Sequence, residues 1–143
     1  MTIYADTSFL VSLYLPDRYS AEAERHMASR PEVCLTPLHV AEWTHAVSQH
    51  VFRKQISARE AGQALNELER DRGKGLWLEV DLPEWAWQTC TRLARKHGAK
   101  IGMRTLDSLH VAAALELGAE AFWTFDERQA KLAIAEGLRT GRG

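Results

Sequence analysis

The chain is 143 residues long, 45% hydrophobic and 26% charged, the proportions of an ordinary globular protein and too apolar for a disordered one. Its 18 Lys and Arg against 19 Asp and Glu leave a formal net charge of −1, which excludes a protein that coats nucleic acid by bulk positive charge, and equally an acidic solvating tail. Nine glycines and four prolines are too few for a low-complexity segment, and a single domain over residues 1–143 is expected.

In chain order, Ile3 to Ala5 is a short apolar run ending in Asp6 and predicts a buried first strand. A helix from about Ser8 to Tyr14 follows, stopped by Pro16, then a helix over Glu22 to Ser29 and a second strand over Val33 to Leu35. Thr36 and Pro37 open the next helix as N-cap and first helical residue, with Val40, Trp43, Val47 and Val51 along one face. Ser57 caps a helix running toward Arg72, which ends in the turn Gly73-Lys74-Gly75. Leu76 to Val80 is strand-like. Pro83 and Glu84 start a helix with the apolar stripe Ala86, Cys90 and Leu93, closed by Gly98. Thr105 begins a helix through Ala113, stopped by Gly118. Ala121 to Thr124 is a strand, and Asp126 opens a last helix ending at Gly137. Short apolar strands alternating with amphipathic helices imply an α/β fold, a parallel sheet covered on both faces.

Cys34 and Cys90 stand apart in apolar surroundings, which suits two buried thiols in a reducing compartment. No apolar run approaches the roughly 18 residues that span a bilayer. The segment Met1 to Asp6 has no basic region and meets an acid at once, so no signal peptide is expected and the cytoplasm is.

In an open α/β sheet, ligands bind outside the carboxyl ends of the strands. Asp6 and Asp126 fall at such ends, and Glu42 and Asp107 near helix starts. Each has a structural alternative. Asp6 suits a helix cap beside Thr7 and Ser8, Asp126 with Gln129 suits an acid-first capping box, and Asp107 suits the helix dipole. Glu42 lies between Ala41 and Trp43, on or beside an apolar face, and is either partly buried or looking into a site. Clustered carboxylates raise one another's pKa unless a cation neutralises them. Hard oxygen donors around an open position suit Mg²⁺ or Mn²⁺, which serve phosphodiester hydrolysis.

Four segments resemble the PIN domain, most closely the VapC-type toxins of toxin–antitoxin pairs. They are Tyr4-Ala5-Asp6-Thr7-Ser8, Ala41-Glu42, Asp107-Ser108-Leu109-His110-Val111-Ala112-Ala113-Ala114 and Thr124-Phe125-Asp126. The resemblance covers nearly the whole chain. It implies a three-layer α/β/α sandwich with a central parallel sheet and a metal-dependent endoribonuclease. On it, Asp6, Glu42, Asp107 and Asp126 match the catalytic, metal-holding acids for Mg²⁺ or Mn²⁺, and Thr7, Ser8 and Thr124 match supporting hydroxyls. It also implies an RNA substrate, a cognate antitoxin that occludes the site, and a homodimer. Phe125 departs from the pattern, since many members carry Asn there, and Asp126 is the acid whose direct metal contact is least secured. Two other readings stay open: a PIN nuclease of RNA maturation or decay, which a stand-alone chain disfavours, and a non-catalytic binding module, which four intact acids disfavour.

Arg92, Arg95, Lys96, Lys100 and Arg104 form a base-only stretch, followed by acids alone from Asp107 to Glu127. This is either a helix C-terminus with a solvated loop or a basic rim for RNA phosphates, with Arg104 and Lys100 the RNA-binding candidates. His110 shares a helix face with Asp107, and packing or hydrogen bonding is expected of it rather than acid–base work. Trp43, Trp77, Trp85, Trp87 and Trp123 are expected in core or interface packing.

Overall fold

The alternation of strand and helix read from the sequence builds one parallel sheet. Its strands are β1 (Thr2–Ala5), β2 (Glu32–Leu35), β3 (Trp77–Glu79), β4 (Ala121–Trp123) and β5 (Arg139–Thr140), ordered β3-β2-β1-β4-β5. The helices are α1 (Thr7–Tyr14), α2 (Ser20–Met27), α3 (Pro37–Phe52), α4 (Ala58–Gly73), α5 (Ala86–Ile101), α6 (Thr105–Glu116) and α7 (Glu127–Ala135). This computed structural model describes residues 1–140; the expected domain span also takes in residues 141–143, which lie outside the described residues.

The period of two along each strand sorts side chains between two cores. Ile3, Ala5, Val33, Leu35, Ala121 and Trp123 join α1 to α4 in one core, with Phe9, Leu10, Trp43 and Leu68. Tyr4, Cys34 and Phe122, the intervening residues, join α5 to α7 in the other, with Leu93, Leu109 and Leu132. The result is the expected α/β/α sandwich. Each fully buried large apolar side chain contributes roughly 1.5–3 kcal/mol relative to exposure. Between α5 and α7, α6 has no polar stripe: all residues from Ser108 to Ala114 are buried.

β1 lies at the middle of the sheet. The chain proceeds to β2 and β3 on one side, then crosses to β4 and β5 on the other. The carboxyl ends of β1 and β4 therefore flank the reversal in strand order, the place where open α/β sheets form their clefts. Helix starts gather at the same edge, because α3 and α7 follow strands and α6 runs back before β4.

Several local expectations change. Gly98 does not close α5; the helix continues to Ile101, and Gly102, at φ 73°, is the left-handed cap. Gly98 is followed by Ala99-Lys100-Ile101, which keep the helical backbone, so the last turn is set by the second glycine. β5 is two residues long and carries no apolar run, hence it left no trace in the pattern. Trp43, Trp77 and Trp123 are core residues, but Trp85 and Trp87, 62% and 58% exposed, flank the start of α5 on the surface. Both cysteines are free and buried, and burial pushes the Cys34 thiol up to about 11. Among the described residues no helix is long and apolar enough to cross a membrane.

Candidate active site

Asp6 follows β1 directly and caps α1, one carboxylate oxygen accepting the Phe9 N–H at 3.0 Å. Ser8 Oγ lies 2.7 and 2.9 Å from its two oxygens, and Thr124 Oγ1 donates to Oδ2 at 2.7 Å. The side chain is 4% exposed. Burial raises its pKa, and the Thr124, Ser8 and Phe9 donors only partly offset that effect. Asp6 is thus a cap and a candidate ligand at once, and the alternatives seen in the sequence do not compete.

Glu42 projects from the second turn of α3. Its Oε1 accepts the Thr7 hydroxyl at 2.9 Å and a hydrogen bond from His110 Nε2 on α6. Burial alone would push its carboxyl up; the His110 and Thr7 contacts outweigh that, and the pKa falls below the usual value. One turn earlier, His39 N3-caps the same helix. The Thr36 N–H donates to His39 Nδ1 at 3.0 Å, Thr36 Oγ1 accepts the His39 N–H at 3.4 Å, and His39 Nε2 donates to the Ala5 carbonyl at 2.7 Å. Burial keeps His39 neutral, its pKa lowered to about 3.

Asp107 is in the first turn of α6, half-buried, its pKa raised by burial and further by the charge of Asp126. Asp126 is exposed and caps α7, accepting the Gln129 N–H at 3.0 Å. The expected capping box closes only on that side. The Gln129 side chain is buried and turns away: its amide donates to the Asp107 carbonyl at 3.1 Å, and its Oε1 lies 3.0 Å from Thr124 Oγ1. The Asp126 N–H goes instead to Thr124 Oγ1, at 2.9 Å. Thr124 and Gln129 thereby tie Asp6, Asp107 and Asp126 into one network.

An open groove of about 440 Å³ is lined by Asp107 and Asp126 together with Arg18, Arg104, Arg128 and Phe125. Arg104 is 91% exposed, with Nε 3.9 Å from Asp107. Lys100 is exposed on the last turn of α5 and does not line the groove. Farther along the base-only stretch, Arg92, Lys96 and His97 all pair with Glu136, at 2.9, 3.5 and 2.8 Å, so that part is an α5–α7 clamp. Phe125, where a polar residue was the pattern, stacks between Phe9 and Tyr19 and joins the first core.

Among the described residues no three His, Cys, Asp or Glu side chains form a group that could cage a metal ion unaided. The donors at the sheet edge are carboxylate oxygens, two of them, on Asp6 and Asp107, with pKa raised chiefly by burial. Such a sparse, hard-oxygen set fits an ion that keeps several waters, Mg²⁺ or Mn²⁺, and not a thiolate or imidazole site.

Comparison with known proteins agrees with this architecture: a profile of the PIN domain matches residues 3–135. The chain belongs to the PIN domain family. Solved structures similar to this PIN domain include the VapC20 toxin of Mycobacterium tuberculosis, described as cleaving the sarcin–ricin loop, at TM-score 0.69 and 19% identity over 95% of each chain. Another is VapBC2 of Rickettsia felis, bound to a DNA fragment from its promoter, at TM-score 0.66 and 18% identity over 98% of this chain and 97% of that one. A third is FitAcB of Neisseria gonorrhoeae, at TM-score 0.67 and 16% identity over 96% and 95%. No curated protein gives a significant match.

Residues the sequence did not single out for this PIN domain's site are Tyr4, His39, Gln129, Arg18 and Arg128. For two of the histidines a signal was present: His39 precedes Glu42 by three residues and His110 follows Asp107 by three, the spacing of one helix face.

Proposed function

We propose that this PIN domain is a metal-dependent endoribonuclease and the toxin of a toxin–antitoxin pair. The observation that supports the reading is the network in which Thr124 and Gln129 tie Asp6 to the backbones of Asp107 and Asp126, with Ser8 donating to Asp6 and Thr7 to Glu42. Asp6, Glu42 and Asp107 would hold Mg²⁺ or Mn²⁺, with Asp126 completing the site or orienting water. Such an ion, when bound, activates water and stabilises the leaving oxygen of a phosphodiester. The chain's own contribution is to orient the carboxylates: Ser8 and Thr124 donate to Asp6, and Thr7 and His110 to Glu42. Arg104 in the groove, with Lys100 nearby on α5, would hold RNA phosphates.

The antitoxin partner is proposed on the likeness to VapBC2, a complex of its own organism. An antitoxin segment that covers the groove would bring an Arg to Asp107 and Asp126 and compete there with the metal. A homodimer is proposed on the apolar side chains left on the surface, Trp85 and Trp87 among them. Two buried free thiols fit residence in the cytoplasm.

The test is cleavage of single-stranded and structured RNAs with Mn²⁺, with chelator, and by Asp6→Asn. Activity with Mn²⁺, its loss with chelator, and a drop of at least about 100-fold in Asp6→Asn are expected. Equal cleavage by wild type and Asp6→Asn would sink the catalytic reading.

A further inference from the structure

The four acids sit on elements of both helical layers: Asp6 and Glu42 on the side of α1 and α3, Asp107 and Asp126 on that of α6 and α7. Separate layers can shift relative to one another, so something must fix the spacing between their carboxylates. Thr124 and Gln129 link Asp6 to Asp107, and a third buried side chain reaches Glu42. His110, 2% exposed, leaves α6 one turn after Asp107 and meets Glu42 of α3 over the end of β1. Its other ring nitrogen, Nδ1, lies 2.7 Å from the hydroxyl of Tyr4, a residue of β1 with no exposed surface.

The hydrogen-bond inventory determines which nitrogen carries the proton. An ionised carboxylate only accepts, so His110 Nε2 must donate to Glu42. In a neutral imidazole Nδ1 is then the acceptor, and the Tyr4 O–H is its donor at 2.7 Å. Burial, foremost among the causes, holds the Tyr4 phenol well above its ordinary pKa, so that proton is in place. His39 packs its ring 4.8 Å from both Tyr4 and His110 while donating to the Ala5 carbonyl, which keeps the pair from swinging. The consequence falls on Glu42. Both donors, Thr7 and His110, land on Oε1, while among the described residues no hydrogen bond is made to Oε2.

We propose that Tyr4 and His110 form a buried brace between the layers, which locks Glu42 with Oε1 anchored and Oε2 left without a protein donor, so that Glu42 would be held ready for a metal ion. His110 is a positioning residue, acting through Glu42 and not on RNA. The proposal rests on the reading of Glu42 as a metal ligand and adds the groups that orient it. Outer partners of this kind are commonly worth about 10–100-fold in metal affinity.

Two measurements test it on the full chain. Imidazole ¹H–¹⁵N correlation spectra of the wild type report the tautomer directly, with no variant needed. His110 with Nε2 protonated and Nδ1 bare is expected; the opposite tautomer overturns the brace. Mn²⁺ binding, followed by electron paramagnetic resonance, is then compared among wild type, Glu42→Gln, His110→Leu, His110→Gln and Tyr4→Phe. Glu42→Gln and His110→Leu should each lose about 10–100-fold in affinity. His110→Gln, which restores a donor near the Nε2 position, should recover most of it. Tyr4→Phe should lose several-fold and show mixed His110 tautomers. If His110→Leu binds Mn²⁺ as the wild type does while Glu42→Gln does not, the brace is wrong and the metal reading stands. If the wild type binds no Mn²⁺, or Glu42→Gln binds it unchanged, the ligand role of Glu42 is wrong and the brace has no function.

Discussion

Asp6 shows how one carboxylate serves the fold and a candidate site at opposite costs. Its cap of α1 stabilises, yet its burial raises the pKa, so folding favours the protonated form. For an acid raised in the folded state, stability is greatest below the unfolded pKa and is lost as pH rises through the folded value. As pH rises through that value the wild type takes on the penalty of an ionised, buried Asp6. Asp6→Asn keeps an acceptor for the Phe9 N–H, and Thr124 can turn its proton to Gln129 Oε1, 3.0 Å away. The variant should be inactive yet more stable than the wild type at pH 7 in metal-free urea denaturation. That advantage should shrink as pH falls through the carboxylate range. Mn²⁺ should stabilise the wild type and leave the variant unmoved. A variant less stable at pH 7 would mean that the hydrogen bonds to Asp6 outweigh its burial.

Among elements, α5 separates what local pattern determines from what the chain decides over a longer reach. Gly98 and Gly102 both carry the signature of a helix end, but only Gly102 adopts positive φ. Neither glycine has a neighbour within 4 Å of where a Cβ would stand, so backbone conformation alone sets the effect of adding one. Gly98→Ala should stabilise by about 0.5–1 kcal/mol, as in any helix interior, and Gly102→Ala should destabilise by about 1 kcal/mol through its left-handed backbone. Thermal unfolding of the two variants should move in opposite directions. The same division runs through the molecule. Capping residues such as Asp6, Thr36, Ser57 and Asp126 were legible because their partners lie three residues away. The acids were legible as residues at element ends. Their supports were not: Tyr4 to His110 and His110 to Glu42 span 106 and 68 residues, and no local pattern encodes which helix faces which across the sheet. Gln129 was visible only as a cap partner, because its side-chain targets, Thr124 and the Asp107 carbonyl, depend on how α7 docks on α6.

For the whole molecule, a net charge of −1 conceals a division of labour among the cations. Arg92 and Lys96 are committed to Glu136, whose side chain is 7% exposed and also bonds the His97 ring, and together they hold α5 against α7. Arg18, Arg104 and Arg128 instead line the groove with Asp107 and Asp126. Charge drawn along the sequence merges these two groups, since Arg92 and Arg104 belong to one run, whereas the fold separates them by the length of α5. RNA binding should register the difference. A cation that neutralises a phosphate releases about one condensed counterion, so its loss lowers the slope of affinity against salt by roughly 1. Arg104→Gln, in a binding-only Asp6→Asn background, should weaken single-stranded RNA binding and reduce that slope. Arg92→Gln should leave both unchanged and instead lower thermal stability, because it takes one cation from Glu136. Were Arg92→Gln to flatten the salt dependence as Arg104→Gln does, RNA would have to run along α5, and the groove beside Asp107 would not be the path of the strand.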